Sequence, residues 1–380
     1  MTRILILGGY GNFGSYIARA LAREPGIQLL IAGRSKEKAA ACASSLNAAN
    51  PPESYSFDIG VGLDDCLGNA AADMVIHTVG PFQGQSYAVA EACIRHKCHY
   101  VDLADGRAFV AGIGALDESA RDANVLVVSG ASSVPCLTAA IVDEALPRFS
   151  AIREIDYGIS AAQQTNRGLA TASSVLSYIG RGFTTLRDGA AKTVYGWQNL
   201  HAERYPELGW RLFGNCDVPD LELFPRRYPH LRTIRFAAGH EIKLLHFGIW
   251  LLSWGVRMRL LPPLDRYSDR LLKSSFLFDS LGSSRSGFHM YLRGRGCDGK
   301  ERTERFTIVA RRGHGPYIPC TPAILLAKRL ARNKLSQRGA RPCLDLIDLD
   351  QFLSALQPLD VSVIRERGDI GRAARSRAIS

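Results

Sequence analysis

The chain has no cysteine pattern that would support a disulfide framework or a metal site. Its nine cysteines are an odd number without a CxxC pair, and the closest spacing to a metal motif is Cys93 and Cys98 with His96 and His99. Those residues fall where a predicted helix leads into a strand, so four convergent ligands are not expected. We therefore predict no metal and reduced cysteines. The first strand starts too close to Met1 for a signal peptide, which together with reduced cysteines predicts a cytoplasmic protein.

The chain also has no apolar run long enough to cross a membrane. The longest candidate, residues 244–256, is flanked by Lys243 and Arg257 and carries Trp250 and Trp254. As a helix it would span roughly 20 Å, short of the roughly 30 Å hydrocarbon layer. We predict no transmembrane span. A buried helix, a lid over an apolar pocket, a dimer contact and peripheral contact with a membrane surface stay open for this segment.

A concentrated basic surface is missing as well, although the formal net charge is +11 from 47 basic and 36 acidic residues. The densest basic stretches are FPRRYPHLRTIR, VRMRLLPPLDR and the tail from Arg365 to Arg377. They do not form one groove-reading element, so no nucleic-acid partner is predicted. Part of the excess charge can attract an anionic cofactor or substrate, and a charged face kept for solubility explains it equally well.

Glycines are abundant where the chain begins, in the stretch LILGGYGNFG. Gly9, Gly11 and Gly14 fit GxGxxG between an apolar strand and a segment with helical spacing, the order that a dinucleotide-binding turn requires. A side chain at the first would obstruct the turn, one at the second would hold a diphosphate away from the backbone, and one at the third would push the helix off the strand. We predict that Gly9, Tyr10, Gly11, Asn12, Phe13 and Gly14 bind the cofactor at the N-terminus of this helix.

The end of the second predicted strand lacks the acidic residue that usually binds the ribose of NAD. It reads Gly33, Arg34, Ser35, Lys36. Arg34 can lay a planar, permanently charged fork on a 2′-phosphate, with the Ser35 hydroxyl beside it. NADP(H) is therefore predicted over NAD(H), with Arg34 as a solvated strand-end charge the alternative.

Strands alternate with helices through the first part of the chain, which predicts an α/β fold with a doubly wound parallel sheet. Ligands bind at the carboxyl ends of such strands. The predicted ends hold Asp58, the turn Gly80, Pro81, Phe82, and Asp102. Tyr100 and Asp102 alternate on one strand and so share a face, where either could donate a proton or anchor substrate. The competing interpretation of Tyr100 is a packed aromatic residue, and that of Asp58 is a residue that caps a turn.

The pattern changes after about residue 150 to that of a second, α+β domain with a mostly antiparallel sheet. Ile155, Tyr157 and Ile159 alternate on one strand, and Asp298 with Gly299 marks the turn of a hairpin. Gln163, Gln164 and Arg167 follow the first of these strands and are candidate substrate ligands. The predicted boundaries are residues 1–133, 134–318, 319–360 as helices returning to the first domain, and 361–380 as a terminal strand and basic tail, disordered from Arg365.

Three stretches resemble the saccharopine dehydrogenase-like oxidoreductases: ILILGGYGNFGSYIARAL, VGPFQGQSYAVAEACIRHKCHYVDLADG and GPYIPCTPAILLAKRL. The resemblance is strongest over residues 1–145 and returns near residues 315–356. It implies an NADP-binding domain, a second α+β domain and C-terminal helices that return to the first. The implied contacts are Gly9, Gly11 and Gly14 to the diphosphate, Arg34 to the 2′-phosphate, Asp58 and Ile59 to the adenine side, and Gly80, Pro81 and Phe82 near the ribose and nicotinamide. The segment HEIKLLHFGIWLLSWGVRMRLL resembles family members with apolar or lipid-like substrates.

These observations lead to three hypotheses of different classes. The first is an NADP-dependent oxidoreductase that transfers hydride to or from a C=N, C=C or C–OH bond of a small substrate, an apolar one being an option. The second is a protein that senses NADP(H) without turnover, because no unmistakable acid–base pair is present. The third is a membrane-surface accessory protein. A homodimer is predicted.

Overall fold

A computed structural model describes residues 1–369, which form sixteen β-strands and thirteen α-helices. The strands are β1 (Thr2–Leu7), β2 (Ile27–Gly33), β3 (Glu53–Ser56), β4 (Met74–His77), β5 (His99–Asp102), β6 (Leu126–Ser129), β7 (Phe149–Ala161), β8 (Gly182–Arg187), β9 (Ala190–Tyr195), β10 (His201–Tyr205), β11 (Gly209–Asn215), β12 (Thr233–His240), β13 (Ser286–Gly296), β14 (Glu301–Ala310), β15 (Gly339–Pro342) and β16 (Val361–Asp369). The helices are α1 (Asn12–Leu21), α2 (Lys36–Ser44), α3 (Leu63–Ala70), α4 (Ala88–Arg95), α5 (Arg107–Gly112), α6 (Asp117–Asp122), α7 (Thr138–Ala145), α8 (Leu169–Tyr178), α9 (Asp220–Arg227), α10 (Lys243–Arg257), α11 (Ser268–Ser275), α12 (Thr321–Ala331) and α13 (Leu349–Ala355).

The chain divides into two compact units. The first unit contains Met1–Leu137 and Tyr317–Ile347, and the second contains Thr138–Pro316 and the described residues 348–369. From the sequence, residues 319–360 as a whole are expected to pack on the first domain. The structure divides that stretch, because α12 and β15 belong to the first unit, whereas α13 packs against α7 in the second.

The first unit is built on a seven-stranded, wholly parallel sheet with the order β15-β6-β5-β4-β1-β2-β3. This confirms the predicted doubly wound sheet. Both faces of β1 are buried: Ile4 and Ile6 are inaccessible on one face, and Leu5 and Leu7 are at most 1% exposed on the other. A strand covered by helices on both sides gains from apolar residues at every position, which is why β1 reads as a continuous apolar run.

The seventh strand of this sheet, β15, was not expected from the sequence. It pairs in parallel with β6, and Gly339 at its start has a φ of +95°. The Asp117 carboxylate accepts a hydrogen bond of 2.8 Å from the backbone N–H of Ala340. Four residues long and more than two hundred residues after its partner, β15 has no local signal of its own.

The second unit contains a seven-stranded mixed sheet with the order β10-β11-β12-β7-β13-β14-β16, and a separate hairpin of β8 and β9. This confirms the predicted second domain with a mixed, mostly antiparallel sheet. The thirteen-residue β7 lies at its centre, parallel to β12 and antiparallel to β13. The predicted hairpin is β13 and β14, in which Phe288 pairs with Ile308 and Met290 with Phe306.

The end of the described chain differs from the sequence-based expectation of disorder from Arg365. Residues 365–369 belong to β16, which pairs antiparallel with β14. Arg365 lies 3.7 Å from the Glu144 carboxylate and over the Phe306 ring, with 5.5 Å to its centroid. Strand pairing and these contacts order a stretch that its basic composition alone suggested would be loose. Residues 370–380, the rest of the predicted tail, lie outside the described residues.

Candidate dinucleotide-binding site

The glycine-rich turn joins β1 to α1 with very little space around it. The backbone N–H groups of Gly8 and Gly9 donate to the Ala32 carbonyl at 2.9 and 3.0 Å, and Gly11 donates to the Gly8 carbonyl at 2.8 Å. A Cβ at Gly14 would lie 2.2 Å from the Gly8 carbonyl oxygen, and one at Gly9 would lie 2.8 Å from the Ile31 side chain. Glycine is therefore required at positions 9 and 14 to pack the turn and the helix against the sheet.

Gly11 differs from its neighbours because its surroundings are open. It is exposed, and the nearest atom to a Cβ built there is the Gly8 carbonyl oxygen at 3.1 Å. As the residue before α1, Gly11 has no side chain to cap the helix. Because Gly11 is exposed, a diphosphate can approach the amide N–H groups of the first turn of α1. These groups carry the positive end of the helix dipole, which favours an anion. The predicted ligands Asn12 and Phe13 are the first two residues of this helix and are half-buried.

Gly8 also belongs to the turn, although it lies outside the GxGxxG pattern. Its φ is +77°, and a Cβ there would lie 2.8 Å from the Thr78 hydroxyl oxygen. Thr78 follows β4 and donates its hydroxyl to the Leu7 carbonyl at 2.8 Å. The two glycines in tandem after β1 were the available signal, because only glycine adopts such a φ readily next to a close neighbour.

Tyr10 packs over the end of β2 instead of extending into solvent. A Cβ at Gly33 would lie 2.3 Å from the Tyr10 ring, so the ring occupies the space that a larger residue at position 33 would need. The Tyr10 hydroxyl accepts a hydrogen bond from the Ser35 backbone N–H at 3.1 Å. The glycine-rich turn and the predicted 2′-phosphate region are thereby joined through one side chain.

The end of β2 carries a cation and, unexpectedly, a carboxylate. Arg34 is exposed directly after the strand. Ser35 caps α2: its hydroxyl accepts from the Lys38 N–H at 3.2 Å and donates to the Glu37 carboxylate at 2.8 Å. The N–H of Glu37 itself and the Ser35 hydroxyl lower the pKa of Glu37. The hydroxyl predicted to bind phosphate is thus engaged in the cap. Glu37, a carboxylate that the strand-end pattern did not include, lies in the same region as Arg34.

The remaining predicted cofactor ligands lie beyond β3 and β4. Asp58 is exposed two residues after β3, and its carboxylate accepts from the Gly60 N–H at 2.9 Å. Ile59 packs on the core of the first unit. Gly80 is half-buried, Pro81 is exposed and Phe82 is buried. The centroid of the Phe82 ring lies 5.0 Å from that of the His77 ring and 5.4 Å from that of the Phe109 ring. Phe82 can therefore offer a ligand its backbone, with its ring in the core.

Strand order brings these segments to one edge of the sheet. Beside β1 the order reverses direction, since β2 and β3 lie on one side and β4, β5 and β6 on the other. The crevice outside the carboxyl ends of β1 and β4 is the topological switch point where open α/β sheets bind ligands. Leu7 pairs with His77 across these two strands, so the turns that follow, 8–14 and 78–82, leave the sheet side by side.

Tyr100 and Asp102, the predicted catalytic pair, lie near this edge but are fully buried. One oxygen of Asp102 accepts from the N–H groups of Ala104 and Gly130 at 2.9 and 2.8 Å and from the Ser129 hydroxyl at 3.0 Å. Burial raises the pKa of Asp102 to about 6, against these hydrogen bonds, which lower it. The carboxyl group thus holds the loops after β5 and β6 together.

The hydroxyl of Tyr100 lies 2.9 Å from Nδ1 of His77. Burial, with a smaller contribution from Asp102, raises the pKa of Tyr100 well above its usual range. Burial also lowers the pKa of His77 to about 4, so the imidazole is neutral at physiological pH. In this arrangement Tyr100 and His77 form a neutral hydrogen-bonded pair inside the sheet edge.

The predicted substrate ligands, which belong to the second unit, all bind one short segment of that unit. Gln163 donates to the Asp279 carboxylate at 2.9 Å, Gln164 donates to the Asp279 carbonyl at 2.9 Å, and Arg167 forms an ion pair with the same carboxylate. The Arg167 guanidinium also lies 4.5 Å from the centre of the Phe276 ring. These three side chains hold residues 276–281 in place, and Gln164 additionally lines an open polar depression of about 440 Å³.

Comparisons with known proteins agree with this geometry. A family model for the saccharopine dehydrogenase NADP binding domain matches residues 4–128, about a third of the chain. The apo structure of saccharopine dehydrogenase (L-Glu forming) from Saccharomyces cerevisiae is similar with a TM-score of 0.65 at 13% identity, covering 96% of this chain and 100% of that one. At that identity the likeness is one of fold. No curated protein sequence matches the chain.

Two further solved structures are more distant. An amine dehydrogenase from Mycobacterium smegmatis has a TM-score of 0.42 at 10% identity, covering 92% of this chain and 95% of that one. The WlbA dehydrogenase from Thermus thermophilus, in complex with NAD and alpha-ketoglutarate, has a TM-score of 0.41 at 11% identity, covering 94% and 93%.

The strand order, the glycine-rich turn and the switch point define the first unit as a dinucleotide-binding domain of the Rossmann class. Residues 4–128 of this unit match the family model for the saccharopine dehydrogenase NADP binding domain, and the resemblance predicted from the sequence is confirmed for that part of the chain.

Proposed function

We propose that the protein is an NAD(P)-dependent oxidoreductase that uses NADP(H) to transfer hydride to or from a C=N, C=C or C–OH bond of a small substrate. The observation that carries this proposal is the glycine-rich turn of an NADP-binding family domain at the switch point of a parallel sheet. When bound, the nicotinamide supplies the hydride or accepts it, and the protein supplies binding, orientation and exclusion of water.

The residues of the first unit fit such a cofactor. Gly11 offers exposed backbone for the diphosphate at the start of α1, which favours negative charge. Arg34 would hold the 2′-phosphate, Asp58 and Ile59 would lie on the adenine side, and the backbone of Gly80, Pro81 and Phe82 would approach the ribose and nicotinamide. These assignments rest on the strand ends that carry the residues.

The preference for NADP(H) rests on Arg34 and is opposed by Glu37. A guanidinium fork binds a phosphate through charge-assisted hydrogen bonds. A carboxylate in the same region repels a 2′-phosphate and suits the free 2′-hydroxyl of NAD. We propose that Arg34 prevails because it is exposed and directly follows β2, whereas the Glu37 carboxylate is directed to Ser35 by a 2.8 Å hydrogen bond.

Calorimetric titration with NADPH, NADP, NADH and NAD tests this proposal directly. Arg34→Ala should weaken NADP(H) binding by about 10- to 100-fold, the effect of one lost charge-assisted contact, and leave NAD(H) binding nearly unchanged. Glu37→Gln should strengthen NADP(H) binding. Arg23→Ala, another exposed arginine of the first unit, is the matched control and should change neither. An equal loss of both dinucleotides in Arg34→Ala would refute the assignment of the 2′-phosphate site.

The roles of Tyr100 and Asp102 are proposed separately. Because Asp102 is fully buried and accepts three hydrogen bonds, two from the loops after β5 and β6 and one from the last residue of β6, we assign it a positioning role. Tyr100 stays a candidate proton donor, acting through its contact with His77. Tyr100→Phe should then lower kcat and change its pH profile without altering the dissociation constant of the cofactor. If kcat and its pH profile are unchanged, Tyr100 is a packed aromatic residue.

A sensor of NADP(H) without turnover is the second candidate, and the burial of Tyr100 and Asp102 favours it. The two functions are separated by the absorbance of NADPH during a screen of imines, enones, ketones and alcohols with the appropriate cofactor form. Turnover of any of them establishes the enzyme. The homodimer and the cytoplasmic location stay predictions, and sedimentation of the purified protein tests the first.

A further inference from the structure

Helix α10 of the second unit has two apolar faces, and one of them is exposed. Its inward face packs on a core formed by Leu176, Ile179, Trp197 and Leu264. Its outward face carries Leu244, Phe247, Leu251 and Trp254 at a spacing of three and four residues, and Met258 continues the stripe. Their exposed fractions are 70, 42, 53, 36 and 58%. A surface helix of a globular protein normally presents polar residues at such positions.

The apolar stripe continues into the turn after α10, where Leu260 is 74% and Leu261 38% exposed. We name these seven residues the outer stripe: Leu244, Phe247, Leu251, Trp254, Met258, Leu260 and Leu261. A run of large apolar side chains on a surface indicates a binding surface more often than a random feature. The charge near the outer stripe indicates which kind of partner covers it.

The outer stripe and the residues that follow it in the chain carry mostly positive charge. Between residues 243 and 273 there are six cations and two carboxylates, which gives a net charge of +4. All six cations are exposed: Lys243, Arg257, Arg259, Arg266, Arg270 and Lys273. The two carboxylates, Asp265 and Asp269, are paired with Arg181 and Lys273 at 3.6 and 2.7 Å.

This charge distinguishes between the occupants that the sequence left open. A second copy docking by the same face would bring two segments of net charge +4 together, which is unfavourable. The surface of a membrane containing anionic lipids offers negative charge for the cations and an acyl boundary for the leucines and the tryptophan. Within residues 1–369 no helix is both long and apolar enough to cross a bilayer, so any contact of α10 would be interfacial.

We propose that the outer stripe and its surrounding cations form a docking surface for anionic lipid membranes. Helix α10 lies along the membrane surface with its outer stripe towards the lipid. Its other face packs on the protein core, whereas the corresponding face of a free amphipathic helix is polar and faces water. Arg257 helps to fix the helix end, since its guanidinium donates to Gln198 at 2.6 Å and lies 3.8 Å from the centre of the Tyr195 ring. The proposal does not depend on the cofactor chemistry of the first unit.

Flotation of the whole protein with vesicles tests the proposal. The wild type should bind vesicles of phosphatidylcholine with about 30 mol% phosphatidylserine, and binding should weaken between roughly 0.1 and 0.5 M salt because the charges are screened. Vesicles of phosphatidylcholine alone should bind far less. Leu244→Gln with Leu251→Gln should reduce the partition coefficient at least about tenfold, since two leucines no longer enter the acyl boundary.

Two matched controls separate this surface from general effects. Leu146→Gln removes a leucine that is 39% exposed, at the opposite end of the sheet from α10, and should leave binding unchanged. Arg259→Gln with Arg270→Gln should weaken binding to anionic vesicles, whereas Arg19→Gln with Arg23→Gln, exposed residues of the first unit, should not. Near-UV circular dichroism checks that each variant is folded.

Three results would overturn the proposal. One is the absence of wild-type binding to anionic vesicles. Another is equal binding to neutral vesicles without any effect of Arg259→Gln and Arg270→Gln. The third comes from sedimentation: a wild-type dimer that dissociates in the Leu244 and Leu251 variant, without vesicle binding, would show that the outer stripe joins two copies of this chain.

Discussion

Replacement of Asp220 by asparagine should remove a large part of the pH dependence of stability of the second unit. Asp220 is fully buried at the start of α9 and accepts a hydrogen bond of 2.9 Å from the Tyr157 hydroxyl. Burial raises its pKa to about 7, against hydrogen bonds from Thr138 and Tyr157, which lower it. In the unfolded chain the pKa of an aspartate is about 3.9.

The sign follows from the number of bound protons. Between these two pKa values the folded state holds a proton on Asp220 that the unfolded state has released, so the free energy of unfolding falls as the pH rises. The slope is about 1.4 kcal/mol per pH unit, which gives roughly 2.5 kcal/mol between pH 5 and pH 7. At pH 7 about half of the folded molecules still hold this proton, and the loss is complete above about pH 8, where the carboxylate is ionised in both states.

Urea denaturation followed by tryptophan fluorescence is a suitable assay, because all four tryptophans, Trp197, Trp210, Trp250 and Trp254, lie in the second unit. Asp220→Asn resembles the protonated aspartic acid and can still accept from Tyr157. The wild type should lose stability relative to this variant by the amount above as the pH is raised from 5 to 7. Asp188→Asn, at a carboxylate whose side chain is 83% exposed, is the control. Parallel pH profiles of wild type and Asp220→Asn would refute a protonated Asp220.

Two further predictions concern the first and the second unit. Gly14→Ala should abolish dinucleotide binding, because its Cβ would lie 2.2 Å from the Gly8 carbonyl oxygen, whereas Gly114→Ala meets no described atom within 4 Å and should bind normally in the same calorimetric titration. Retained affinity in Gly14→Ala would mean that the turn is not the phosphate site. Arg167→Ala should release residues 276–281, because it removes the ion pair to Asp279 and the contact with the Phe276 ring; chymotrypsin should then cut there several-fold faster, and an unchanged cleavage rate would show that the two glutamines suffice.

Part of this architecture follows from local sequence. The β1 turn was predictable because its strand, its glycines and its helix are adjacent in the chain. The atoms that exclude a side chain at Gly9 and Gly14 belong to the turn itself or to the neighbouring strand. The β13–β14 hairpin was predictable for the same reason, since Asp298 and Gly299 define its turn and the alternating residues its register. The place of Arg34 at the end of β2 needed no more than the strand pattern.

Other features depend on residues that are distant in the chain. The predicted substrate ligands Gln163 and Arg167 bind Asp279, more than one hundred residues later, and no local pattern reveals that partner. Glu37 lies in the same region as Arg34 because Ser35 caps α2 and donates its hydroxyl to the Glu37 carboxylate.

The sequence by itself determined the strand, turn and helix at the start of the chain, the β13–β14 hairpin and the residues at the strand ends of the first unit, because hydrophobic periodicity and turn chemistry act over a few residues. Only the tertiary structure decided which strand ends lie together, that β15 and β16 complete the two sheets, and that α10 buries one apolar face and exposes the other. The physical reason is that burial is a property of the assembled chain. The same apolar residue type can stand on either face of a helix, and only its neighbours in space determine whether the side chain is buried in a core or exposed to solvent.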